Sequence, residues 1–209
     1  MNQLLHDYPH GKFVYATYEN RAFWLRQGGE LALGAADYYR LLGHPSDVRV
    51  RLKGKESLRL LGENFGTDAI LTQIEAELTN DPPAALAYAY HRIYNHAVDY
   101  SYAVPYYWGS NHYEENRQEE ERVRTSLDQA HTELQRITTF ATAMMRRYPD
   151  AGISGAFIVR VAQAQMELQN FREVLPLATK SLRLNLAGDV RAEALWIKGS
   201  AEHKLKNFN

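Results

Sequence analysis

The chain has 209 residues, 24 Lys and Arg against 25 Asp and Glu, and no cysteine. Its net charge of -1 supplies no field that would attract nucleic acid or an anionic membrane, and the lack of cysteine excludes a disulfide framework, a thiolate metal site and a cysteine nucleophile. No apolar run reaches the roughly 18 residues of a membrane span, and the N-terminal residues lack the pattern of a secretory signal. Localisation stays open between the cytoplasm and the bacterial periplasm.

The sequence of the N-terminal part predicts short helices and allows one short β-hairpin. Gly28-Gly29 and Gly43-His44-Pro45 bracket a predicted helix over Glu30–Leu42. Val48–Leu52 alternates apolar and basic residues, which favours a strand, and Phe13–Tyr18 is its candidate partner. We therefore expect an irregular, mainly helical region here.

A helical hairpin is predicted next along the chain. Thr67–Leu78 places Ile70, Ile74 and Leu78 on one stripe of a helix. Asn80-Asp81-Pro82-Pro83 combines cap residues with proline at the first helical position, so a second helix should run from there to about Ser101.

Tyrosines are concentrated between residues 88 and 113, and this segment offers a candidate aromatic ligand surface. Rigid amphipathic rings stack on sugars or grip peptides at a low entropy cost. The candidate residues are Tyr102, Tyr106, Tyr107 and Trp108. The alternative is structural, because tyrosines also fill irregular space where two helices cross.

The same segment holds residues of metal-ligating type, namely His91, His96, Asp99, His112 and Glu114. On a helix, two histidines serve zinc best four residues apart. His91 and His96 are five apart, which separates them by about 140° around the axis. We therefore predict no metal and no cofactor, and expect His96 and Asp99 to form a hydrogen-bonded pair.

A long helix is predicted from about Asn111 to Tyr148. An apolar seam steps by four and three residues through Val123, Leu127, Ala130, Leu134, Ile137, Ala141, Met144 and Tyr148. Asn111 and Glu114 form a candidate capping box at its start, and Tyr148-Pro149-Asp150 ends it. A lone coiled coil is the competing interpretation of such a seam.

The C-terminal part repeats itself at an offset of 37 residues. Residues 158–171 align with 195–208, with small residues at matching positions and Leu-x-Asn-Phe closing both segments. A period in this range is typical of solenoids, whose units stack because none buries its apolar face alone. Residues 155–186 should form one helical hairpin, and 192–208 the first helix of another.

This pattern resembles the tetratricopeptide repeat (TPR), a helical hairpin of about 34 residues. The residues that carry the resemblance, over about 120–209, are Ala162 and Gly199, Leu168 and Leu205, and Phe171 and Phe208. The period is longer here, with Asp189-Val190-Arg191 as the candidate insertion. The resemblance implies an all-α, right-handed solenoid over 111–209, following a helical N-terminal region over 1–110.

Proteins of this family bind peptides or other proteins along the inner face of their first helices. Carried over by position, the resemblance implies that partner-binding residues are Val159, Gln163, Met166, Trp196, Ser200 and His203. The run Arg147-Tyr148-Pro149-Asp150 also looks like repeat units of bacterial envelope scaffold proteins. The expected function is therefore a non-catalytic protein-protein interaction scaffold, whose partner is a protein or peptide.

Two alternatives remain open. One is a glycan- or peptide-processing enzyme that uses the Tyr- and His-rich segment 88–114. The other is a structural subunit that assembles with itself through the last helix, whose apolar residues Leu195, Trp196 and Leu205 call for a cover, either a continuation of the chain past Asn209 or another chain.

Overall fold

The computed structural model describes residues 2–7, 13–43, 48–61, 68–103 and 113–207. Every regular element in these ranges is an α-helix, so the predicted all-α class is confirmed. The helices are α1 (Asn2–Asp7), α2 (Val14–Gln27), α3 (Leu31–Leu42), α4 (Val48–Leu61), α5 (Asp68–Leu78), α6 (Pro82–Ala103), α7 (Tyr113–Arg147), α8 (Gly155–Glu167), α9 (Phe171–Leu182) and α10 (Gly188–Asn207). None of them combines the length and apolar character needed to cross a membrane.

The β-hairpin that the sequence allowed does not form. Val48–Leu52 is the first part of α4, and Phe13–Tyr18 leads into α2. The positions of α4 that pack inward are Gly54 and Leu58, four residues apart as in a helix, whereas Leu52 is exposed. Packing at helical spacing therefore outweighs the local alternation that favoured a strand.

The chain divides into two compact units, Met1–Tyr88 and Ala89–Asn209. In the first unit α3 is the central helix and packs against α2, α4 and α5. Its residues are apolar or small nearly all the way round, and buried positions follow one another from Gly34 to Tyr39. A helix that is apolar on nearly all sides is buried by other helices around it, as α3 is here.

Two glycines allow the helices of the first unit to approach closely. A Cβ placed at Gly54 of α4 lies 2.7 Å from the backbone nitrogen of Leu42 and 2.9 Å from the carbonyl oxygen of Tyr38. A Cβ at Gly43 lies 2.5 Å from the carbonyl oxygen of Pro83. Both contacts are with backbone, so a side chain at either position forces the helices apart.

A buried carboxylate also holds the first unit together. Asp37 of α3 is 0% exposed and accepts hydrogen bonds from two arginines. The Arg21 Nε and Nη2 atoms lie 2.6 Å from Oδ2 and Oδ1, and Arg40 Nη1 lies 2.6 Å from Oδ1. The hydrogen bonds from Arg21 to Asp37 raise the pKa of the Arg21 guanidinium. Arg40 also contacts Asp81 ahead of α6, with Nε 3.4 Å from Oδ2, so one charged cluster joins α2, α3 and the start of α6.

The second unit contains the predicted long helix and helical hairpin. Leu134, Ile137, Ala141 and Met144 of the seam in α7 are buried, and α7 packs on α8. Ser154 caps α8 by accepting a hydrogen bond from the Phe157 backbone N–H at 3.2 Å. Gln169, in the left-handed region with φ 59°, reverses the chain into α9.

The helices α8, α9 and α10 share one apolar core. It consists of Val159, Ala162, Val174, Ala178, Ala194, Ile197 and Ala201, all of them 0% or 1% exposed. Small residues from each helix allow close packing, and α10 lies against both α8 and α9. The hairpin predicted over 155–186 and the helix that follows it are thus present, although α10 begins at Gly188.

Candidate functional site

The helix α10 has one buried and one exposed apolar face. Ala194, Ile197 and Ala201 point into the shared core. On the other side Leu195 is 53% exposed and Trp196 is 66% exposed. Two large apolar side chains exposed side by side make this side of α10 the candidate interaction surface.

The repeat offset shows how unusual this exposure is. Leu195, Trp196 and Gly199 occupy the positions of Ile158, Val159 and Ala162 in α8, which are 0%, 1% and 0% exposed. Val159 and Ala162 are covered by α9, through Val174 and Ala178, and by α10. The same positions are therefore covered in α8 and open in α10.

The structure separates the six predicted partner-binding residues into two groups. Val159 belongs to the core, so its side chain is not offered to a partner. Gln163 and Ser200 are half-buried, Met166 is partly buried against the core, and Trp196 and His203 are exposed. We call the five accessible residues the inner surface; it consists of Gln163, Met166, Trp196, Ser200 and His203.

An arginine missed by the sequence analysis connects the two helices of the inner surface. The Nη1 atom of Arg160 donates to Gln163 Oε1 at 2.6 Å and to Glu193 Oε1 at 2.7 Å. Gln163 is thereby oriented, and α8 is tied to α10. The available signal was the opposite charge of Arg160 and Glu193 at nearly one repeat of separation.

A second surface of α10 was also missed. Ala192, Leu195, Gly199 and Lys206 are all exposed and lie within about 60° of one another around the helix axis. We call these four residues the open face. A Cβ added at Gly199 meets no atom within 4 Å, so the backbone of α10 is bare at the centre of this face. Trp196 stands at the border between the open face and the inner surface.

Cations border the open face. Arg191 is exposed on one side, and Lys198 donates to Glu202 on the same side. This bond lowers the pKa of the Glu202 carboxyl. Lys206 adds a further positive charge at the C-terminal end. The Lys198–Glu202 pair is neutral as a whole, so Arg191 and Lys206 give this side of α10 its net positive charge.

The predicted aromatic surface falls mostly outside the described residues. Tyr106, Tyr107 and Trp108 are not among them, and Tyr102 lies on α6 with its side chain outside the description. In the described part of α6, Tyr90 and Tyr94 are exposed. The ring of Tyr90 lies 6.4 Å from that of Phe157, which connects α6 to the start of α8.

The predicted pair of His96 and Asp99 also lies on α6 with side chains outside the description, and His112 is outside it entirely. The Nε2 atom of His91 is 3.3 Å from Asn95 Nδ2. Among the described side chains, histidine and carboxylate residues form no group of three or more with the geometry of a metal site.

Comparison of the chain with protein-family models, curated proteins and solved structures finds no match in any of the three. The physical character of the surfaces on α8 and α10 therefore carries the functional argument.

Proposed function

We propose that α8, α9 and α10 form a TPR-like solenoid segment and that the chain is a non-catalytic scaffold, which binds a protein or peptide partner on the inner surface. The observation that carries this proposal is Trp196, a large aromatic side chain left 66% exposed on a helix whose other face is fully packed. Tryptophan is the residue type most enriched among the side chains that dominate binding energy at protein interfaces.

The composition of the inner surface indicates what such a partner presents. Trp196, Ser200 and His203 follow one another at helical spacing of four and three residues, so they form one stripe along α10. Met166, a flexible side chain that adapts to varied apolar shapes, lies on α8. Ser200 and Gln163 supply hydrogen-bonding groups. This arrangement suits a peptide segment with an apolar anchor and an available backbone.

The inner surface offers no unpaired arginine or lysine side chain that would select a partner by its charge. Arg160, the nearest cation on α8, is paired with Glu193 and bound to Gln163. The inner surface also lacks the lysine and asparagine with which some tetratricopeptide-repeat proteins hold a terminal carboxylate. We therefore propose an internal segment of the partner, and not its free C-terminus, as the bound element.

The test is capture and affinity measurement with two matched tryptophan variants. Trp196→Ala removes the anchor, whereas Trp24→Ala removes a tryptophan of similar exposure, 63%, from α2 in the other unit. A partner captured by the wild-type chain is identified and purified, and its affinity is measured by calorimetry. We expect Trp196→Ala to weaken binding by about tenfold or more and Trp24→Ala to leave it unchanged.

Circular dichroism of both variants should match the wild type, because neither side chain is buried. Equal affinity for wild type and Trp196→Ala, with Met166→Ala equally silent, contradicts the assignment of the inner surface. Loss of binding in Trp24→Ala alone places the site in the first unit instead.

A further inference from the structure

The open face of α10 is the repeat copy of a surface that a helix already covers elsewhere in the chain. In α8 the corresponding position is Ala162, which is fully buried in one core cluster with Val174 and Ala178 of α9. In α10 it is Gly199, where the next atom outside the helix is more than 4 Å from an added Cβ. The α8–α9 interface therefore provides a template for what the open face can hold: a helix with small residues at the crossing.

Gly199 permits an even closer approach than Ala162, because it has no side chain. Helix axes that cross at small residues come within about 8 Å of each other. Leu195 stands one turn from Gly199 on the same stripe and is 53% exposed, so it supplies the apolar contact next to the crossing. An extended peptide would leave this combination of bare backbone and adjacent leucine unfilled.

The charges around the face decide between possible helices. Arg191 lies on one border, Lys206 belongs to the face itself at its C-terminal end, and Lys198 lies near Arg191, paired with Glu202. A second copy of the chain carries the same cations, so two open faces set against each other repel. A helix with acidic residues beside its apolar stripe meets these cations with opposite charge.

We propose that the open face binds an amphipathic helix of a partner protein, with small residues at its crossing point and carboxylates beside its apolar stripe. The helix lies across Gly199 as α9 lies across Ala162, with Leu195 packed against its apolar stripe. The open face lies beside the inner surface, so the two sites are altered by different substitutions.

The experiment uses two synthetic helical peptides that share the apolar stripe of α9, with Val174 and Ala178 as its small crossing residues. One peptide carries glutamate at every flanking position, and the other carries lysine. Binding of each to the full chain is measured by fluorescence anisotropy up to about 300 μM, which detects affinities far weaker than a micromolar complex. We expect the acidic peptide to bind, more weakly as salt rises, and the basic peptide to bind at least about tenfold more weakly.

Two variants of α10 assign the site. Gly199→Leu adds bulk where the fold itself has room, so the chain should stay folded and lose the acidic peptide. The double variant Arg191→Glu with Lys206→Glu should exchange the preference, so that the basic peptide binds better. Trp24→Ala serves as the control and should bind the acidic peptide as the wild type does.

Several results would overturn the proposal. If neither peptide binds, the open face is not a helix-binding site. If both peptides bind equally, or if the charge-reversed variant keeps the preference of the wild type, the occupant is not an acidic helix. Sedimentation that shows a dimer of the wild type and a monomer of Gly199→Leu assigns the face to a second copy. By contrast, a Gly199→Leu chain that has lost the peptide but still captures a partner through Trp196 supports the proposal, because it separates this site from the inner surface.

Discussion

Both units have an apolar core, but among the described residues only the first unit also buries a charged side chain. The first packs α2 and α3 around Asp37, a fully buried carboxylate held by Arg21 and Arg40. The second packs α8, α9 and α10 through a cluster made only of alanine, valine and isoleucine. A buried charge depends on partners of fixed geometry, whereas an apolar core depends on volume. The first unit should therefore be sensitive to a single charge, and the second to a single cavity.

The largest expected effect tests the charge in the first unit. Asp37→Asn keeps the shape of the side chain but leaves two partly buried arginines without their carboxylate. We expect a loss of about 3–5 kcal/mol in the free energy of unfolding. Hydrogen exchange resolved along the chain should show the loss in α2 and α3 and not in α8 to α10.

Glu202→Gln is the matched control, because it makes the same chemical change at an exposed ion pair of α10. Its cost should be far smaller than that of Asp37→Asn, because solvent screens an exposed ion pair. If Asp37→Asn costs no more than this control, the arginine cluster is not what stabilises the first unit, and the contrast between the units disappears.

The next effect tests the apolar core of the second unit. Ile197 is 0% exposed and sits between α8 and α9, so Ile197→Ala should cost about 2–4 kcal/mol through lost burial and the cavity that remains. Urea unfolding monitored by exchange in α8 to α10 measures it. Trp196→Ala, one residue away on the exposed side, should change stability by less than about 0.5 kcal/mol.

A large cost for Trp196→Ala would mean that this side chain serves packing, which would remove the main support for the inner surface. The pair of neighbouring substitutions thus separates stability from binding within one turn of α10.

The contrast between the units also explains what the sequence could predict. The seam of α7 repeats at three and four residues, so its helix was predicted within two residues of Tyr113–Arg147. The hairpin of α8 and α9 followed from the 37-residue offset. Such patterns record burial on one face of one element, which is local information.

The charged cluster left no comparable pattern. Asp37 stands inside an apolar run, and Arg21 lies sixteen residues away, a separation that corresponds to no helical period. Only the packing of α2 on α3 brings the two together. The strand predicted at Val48–Leu52 failed for a related reason, since the neighbours of Gly54 and Leu58 come from α3 and are invisible in the local sequence.

The sequence predicted the positions of the candidate site but not which of them are exposed. Sequence equivalence gave Val159 and Trp196 the same role, because they occupy the same position in two copies. The structure distinguishes them, since α9 and α10 cover the face of α8 that holds Val159 while the matching face of α10 is open. Equivalent positions share geometry, but exposure depends on the neighbours that each copy has.

The smallest expected effect compares one glycine from each unit. Gly54→Ala places a methyl group against the backbone of Leu42 and Tyr38, so it should destabilise the first unit by about 1–3 kcal/mol. Gly199→Ala places the same group in open space within a helix, and should stabilise the second unit by about 0.5–1 kcal/mol because alanine loses less backbone entropy. Thermal unfolding at low protein concentration measures both. Opposite signs confirm that the helices of the first unit touch at Gly54 while α10 is bare at Gly199. A loss of stability in Gly199→Ala would show that something in the chain already covers the open face, and the partner helix would have no place to bind.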